Sequence, residues 1–149
     1  MDTTSRISIW LSRVTILAAT AIFILISSRY LTDPVGMAGT AKISLGSPTA
    51  ITIIRVGFGA FPLGFAVIAL VCLFSNKRLL TGLYIVGTVI ILATVIRIYG
   101  AVVDGATPET LKLLRPEFVM VVLSVSGIFL ERRRLRLTTR KKESIALIS

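Results

Sequence analysis

Histidine is absent from the 149 residues of this chain, and cysteine occurs once, at Cys72. The first absence excludes histidine-ligated haem, histidine metal sites and histidine general bases. The second excludes an internal disulfide and a cysteine cluster for a metal. Acids are scarce as well: 7 Asp and Glu stand against 17 Lys and Arg, for a net charge of +10. Such a balance points to nucleic acid or to an anionic membrane surface. The excess is concentrated in one tail beside a hydrophobic segment, which favours the membrane surface, and no nucleic-acid partner is expected. No catalytic motif stands among the remaining residues. The chain therefore leans toward a non-enzymatic role, an enzyme of lipid or quinone metabolism being the weakest of the readings left open, with no catalytic residue, metal or cofactor assigned.

What the chain has in quantity is apolar sequence. Hydrophobic residues make up 54% and mean hydropathy is +0.89. These residues fall into four blocks, at about 9–28, 50–74, 79–100 and 113–130. Each is long enough, or nearly so, to cross a hydrocarbon core as a helix. The expected fold is all-α, a single membrane domain built as a four-transmembrane-helix bundle, followed by a basic tail over 131–149. The first block is read as an uncleaved span rather than a signal peptide, because Ser27-Ser28 leads into Arg29-Tyr30 with no small-residue cleavage site. Asp33-Pro34, Gly36, Gly39, Gly46 and Ser47-Pro48 mark the loop that follows it. Short interfacial helices are expected in the two outer loops, around Met37–Ile43 and from Thr107-Pro108 through Leu114.

Four spans put both termini on one side. Counting Lys and Arg near the spans assigns that side. With the termini inside, Arg6, Arg13, Lys77, Arg78, Arg132, Arg133, Arg134, Arg136, Arg140, Lys141 and Lys142 are inner, and only Arg29, Lys42, Lys112 and Arg115 are outer. Both termini are therefore expected in the cytoplasm. Arg132, Arg133, Arg134 and Arg136 are expected to contact anionic lipid headgroups there.

Arg55 and Arg97 remain within the spans. A guanidinium in lipid costs roughly 2.5–3.5 kcal/mol at a helix centre and requires an acceptor. The threading places Arg55, Arg97, Asp104 and Glu117 at similar depth in the outer half. Arg55–Glu117 and Arg97–Asp104 are the expected ion pairs. Tyr99 offers a hydroxyl, and Ser124 continues a polar seam inward from Glu117 at i+7. Two readings stand for this cluster: a structural set of ion pairs that fixes helix register, or a pocket for an anionic or lipophilic molecule such as a lipid or a quinone. In the second span Gly57, Gly59, Ala60 and Gly64 supply small residues for close helix packing. Pro62 is expected to kink the same helix.

Pro48-x6-Arg55-x3-Gly59-x4-Gly64, Arg97-x-Tyr99-Gly100, Asp104-Gly105-x2-Pro108 and Glu117 together resemble a bacterial family of small four-helix membrane proteins catalogued as domain of unknown function 4345. The resemblance covers roughly Tyr30 to Leu130. The family commonly reads Arg-x-x-Tyr-Gly-Gly in the second span, where this chain has Phe58, Gly59 and Ala60. The resemblance implies a four-helix bundle in the bacterial inner membrane and no established activity. Separately, small size, the lack of catalytic chemistry and the small-residue helix faces lead to the expectation of a multi-pass accessory or scaffold subunit that contacts membrane lipids and other membrane-protein subunits. The alternative is a binder or carrier of a lipophilic or anionic small molecule at the outer Arg/Glu cluster.

Overall fold

In a computed structural model, which describes Thr3–Ala146, the chain is all-helical. Helix α1 runs Thr3–Thr32, α2 Pro34–Thr40 and α3 Pro48–Ile54. A π-helical segment, Arg55–Ala60, joins α3 to α4 (Phe61–Leu73), and then come α5 (Leu79–Val103) and α6 (Pro108–Ala146). Four helical stretches among the described residues are long and apolar enough to cross a membrane: Ser5–Thr32, Pro48–Leu73, Leu79–Val103 and Thr110–Arg140. Residues 147–149 of the expected tail lie outside the described residues.

The helix starts follow local chemistry. Asp33 caps α2 by accepting from the Gly36 amide at 2.9 Å, and Ser47 caps α3 by accepting from the Ala50 amide at 3.1 Å. Thr107 accepts from the Thr110 amide at the start of α6. Pro34, Pro48 and Pro108 each open their helix, where a missing N–H costs nothing. One expected element differs. The residues from Pro108 to Leu114 are not a separate interfacial helix but the first turns of α6, which continues without a break through the fourth span and into the basic tail. Pro116 sits inside it. At 1.5 Å per residue α6 is about 58 Å long.

The π segment has an identifiable cause. Pro62 has no N–H to offer the preceding turn, and the helix widens just before it, so that the Phe61 amide donates to the Val56 carbonyl five residues back. The proline is thus accommodated by a wider turn ahead of it.

Helix α1 is the hub. It packs on α4, the π segment, α5 and α6, while α5 packs on α6 and α4. The core contains Ile16, Ala19 and Phe23 from α1, Ala66 and Ala69 from α4, Leu79, Leu83, Val86 and Ile90 from α5, and Met120 from α6. Large apolar side chains such as Trp10, Phe61, Val102, Phe118 and Phe129 face outward. Lipid is as apolar as these side chains, so the bundle is held by close packing and polar contacts rather than by hydrophobic burial. Gly82 shows the closeness required. A Cβ there would stand 2.8 Å from Cys72 Cβ and 2.9 Å from Ile16 Cδ1, so this glycine lets α5 close on both α4 and α1.

The small residues of the second span are used otherwise than expected. Only Gly59 is buried, against Leu31 of α1, where a Cβ would come within 2.8 Å of Cδ2. Ala60 and Gly64 are exposed, and added Cβ atoms at Gly57 and Gly64 would meet nothing within 4 Å. The π turn is the reason: it breaks the 3.6-residue repeat that placed Gly57, Ala60 and Gly64 on one inward face.

Candidate functional site

Two polar clusters lie about 14 residues apart on α6. The first joins α5 to α6 through Arg97 and Glu117. Arg97 Nε donates to both carboxylate oxygens, at 2.9 and 3.0 Å, and Nη2 donates to Oε1 at 2.7 Å. This is the fork geometry of a strong guanidinium–carboxylate pair. The side chains are 33% and 20% exposed, so the bridge lies half-sheltered between the helices.

The pairing corrects the expected one. Glu117 is taken by Arg97, not by Arg55, and among the described residues Asp104 has no ion pair. The cause is helix arrangement: Arg55 lies on the segment that packs against α1, whereas Arg97 and Glu117 face each other across the α5–α6 contact. Arg55 is exposed, and among the described residues it makes no ion pair or side-chain hydrogen bond. Asp104 is exposed at the C-cap of α5, and Tyr99 faces outward. Ser124 is fully buried two turns from Glu117, facing Gly87, and among the described residues its hydroxyl has no partner.

The second cluster closes the other end of the bundle. Glu131 is 0% exposed. Its carboxylate accepts from Ser8 Oγ of α1 at 2.9 Å and from Arg134 Nε at 3.0 Å, with Arg134 Nη2 on the other oxygen. The same Nη2 donates to the backbone carbonyl of Asn76, in the turn between α4 and α5, at 3.2 Å. Arg13 Nη2 donates to the Asn76 side-chain oxygen at 3.1 Å. Three parts of the chain far apart in sequence are tied together through one buried carboxylate and one asparagine.

This network corrects the reading of the tail. Arg134 is committed inward, and the Arg132 guanidinium lies 5.3 Å from the centre of the Tyr84 ring in a cation–π contact. Arg133 and Arg136 are exposed and remain open to headgroups. Sequence reasoning passed over Glu131 because it stands at the head of an arginine run. The available signal was the heptad spacing of Glu117, Ser124 and Glu131, which puts all three on one face of α6.

A line of hydroxyls runs along the inward face of α1. Ser12 donates to the Ser8 carbonyl at 2.8 Å and Thr15 to the Leu11 carbonyl at 2.9 Å, the usual way a membrane helix satisfies such groups internally. Among the described residues the buried hydroxyls of Thr20, Ser27 and Tyr84 find no hydrogen-bond partner. Among the described residues no three His, Cys, Asp or Glu side chains gather as a metal site.

The model of one protein family, described as Domain of unknown function (DUF4345), matches residues 11–127. The match takes in Arg55, Arg97, Asp104 and Glu117 but ends before Glu131 and begins after Ser8. Neither a curated protein nor a solved structure matches the chain.

Proposed function

The chain belongs to the DUF4345 family, and from that footing we propose that it is a non-enzymatic accessory or scaffold subunit of a larger membrane assembly. The assembly sits in the bacterial cytoplasmic membrane with both termini of this chain inside. The orientation rests on the excess of Lys and Arg at that end.

The observation that carries the proposal is an open strip on the second span. The five-residue π repeat brings Ala60 beneath Arg55, and the α-helical repeat continues through Gly64, Val67 and Val71. Every residue of this strip is exposed. It joins a cation within a membrane span to small side chains that allow a second backbone to approach closely. The fitting partner is a transmembrane helix of another subunit that carries Asp or Glu at the depth of Arg55. The alternative, a ligand pocket at Arg97 and Glu117, draws less support, because each of those groups already satisfies the other.

The proposal is tested by purifying the full chain from native membranes in mild detergent. A partner retained by the native chain and released by both Gly64→Leu and Arg55→Leu is the expected result. A chain that migrates alone, or a partner held equally by both variants, would sink the reading.

A further inference from the structure

At the Glu117 end, α5 and α6 flank an open groove of about 520 Å³. Its walls follow helical spacing. Thr94 and Ile98 line one side, and Leu111, Leu114, Arg115 and Phe118 line the other. The volume falls within the roughly 300–1,000 Å³ usual for small-molecule sites. Ile98, Leu111 and Phe118 on its walls are exposed, so the groove is open to the surroundings of the bundle.

Its polarity is confined to one point. The Thr94 hydroxyl is used up on the Ile90 carbonyl at 2.8 Å, so that wall is apolar in effect. Arg97 and Glu117, next in sequence to Ile98 and Phe118, neutralise each other. Arg115 is exposed, and among the described residues no carboxylate pairs with it. Lys112, one turn earlier and also exposed, adds positive charge toward the same helix end. From Leu111 to Phe118 the α6 wall extends about 10 Å along the helix. An apolar trough of that length with a cation on its lip complements an anionic amphiphile.

We propose that this groove holds one acyl chain of an anionic glycerophospholipid, with the lipid phosphate gripped by the Arg115 guanidinium. The fork of an arginine matches phosphate oxygens two at a time. The arginine stem reaches along the groove while its head stays at the headgroup layer. The site is at the opposite end of the bundle from the arginine-rich tail, so it is separate from any headgroup attraction there. It does not depend on the accessory-subunit reading.

The test uses native mass spectrometry on the full chain, purified in mild detergent and stripped of lipid. Phosphatidylglycerol and phosphatidylcholine with identical acyl chains are titrated in separately. Both lipids offer the same phosphate to Arg115, but the choline's own cation opposes Arg115 and Lys112, so phosphatidylglycerol is expected to bind about tenfold more tightly. Arg115→Gln should bring it down to the phosphatidylcholine level. Arg115→Lys, which keeps the charge but not the fork, should fall between. Leu114→Trp, which fills the trough, should weaken both lipids. The double variant Arg133→Gln/Arg136→Gln should leave the preference intact. Circular dichroism melting identifies any variant that fails to fold, and the preference is judged on those that fold. Equal binding of the two lipids by the native chain would overturn the proposal, as would a preference that survives Arg115→Gln or disappears with the tail variant. A dimer that Leu114→Trp dissociates would assign the groove to a second copy and overturn it as well.

Discussion

Replacing Glu117 with alanine strands Arg97 in the membrane, and the size of that effect follows from the geometry. The native pair makes three hydrogen bonds of 2.7 to 3.0 Å at one-fifth to one-third exposure. An unpartnered arginine costs roughly 2.5–3.5 kcal/mol at the centre of a membrane helix. Arg97 is six residues short of the end of α5 at Val103, about 9 Å along the axis, so its head can reach toward the interface and part of that cost is relieved. About 2 kcal/mol of destabilisation is therefore expected for Glu117→Ala. Arg97→Met should cost about as much, since it leaves a half-sheltered carboxylate unpaired. Removing both charges together should cost no more than about 1 kcal/mol, because an isosteric apolar pair often matches a buried ion pair. The resulting coupling is about 3 kcal/mol, measurable as a double-mutant cycle.

The assay is reversible unfolding of the full chain in mild detergent by added dodecyl sulfate, followed by circular dichroism. The swap Arg97→Glu/Glu117→Arg should recover most of the stability lost in the single changes. The swap Arg55→Glu/Glu117→Arg should recover none, since those residues lie on different contacts of the bundle. Single effects that simply add, or rescue by the Arg55 swap, would refute the assignment of the bridge.

Glu131→Ala should be among the most destabilising single changes in the polar set, by about 2–4 kcal/mol in the same titration, because Arg134 and Ser8 both lose their acceptor. Glu131→Gln should retain the Ser8 contact and cost less; equal losses would argue against the Ser8 bond. Gly82→Ala should destabilise by about 1–3 kcal/mol through overpacking against Cys72 and Ile16. Gly64→Ala should be neutral or stabilise by up to about 1 kcal/mol in the isolated chain, since an added methyl there meets nothing. Reversal of that order would mean the helices pack on different faces. A reporter fused after Ser149 should be active only on the cytoplasmic side, and periplasmic activity would invert the threading.

The spans were legible in the sequence because lipid demands long apolar runs, and those runs are visible without any knowledge of neighbours. The α6 start was legible for a similar reason, since Thr107-Pro108 acts within a few residues, whereas Asp33-Pro34 and Ser47-Pro48, which read as loop punctuation, open α2 and α3. What the sequence obscured depends on rotation and pairing between helices. The cost of Arg55, Arg97 and Glu117 in lipid singles these residues out as requiring explanation, but cost does not name the partner. Rotation about the second span was misjudged because one extra residue in the π turn shifts every later side chain. Glu131 went unnoticed because a carboxylate beside three arginines resembles part of a solvated run. Its burial depends on Ser8 and Asn76, which are 123 and 55 residues away.

The Glu131 network also bears on the order in which the protein is made. Ser8, Arg13 and Asn76 leave the ribosome well before the carboxylate that organises them. While the first three helices are being synthesised, α1 and the α4–α5 turn have no acid to gather around. Only when translation passes Arg134 can that end of the bundle lock. Of the residues that close this end, Glu131 and Arg134 are the last to be made. A chain released early, short of Glu131, can carry most of its apolar sequence into the membrane and still present an open polar end to quality-control proteases.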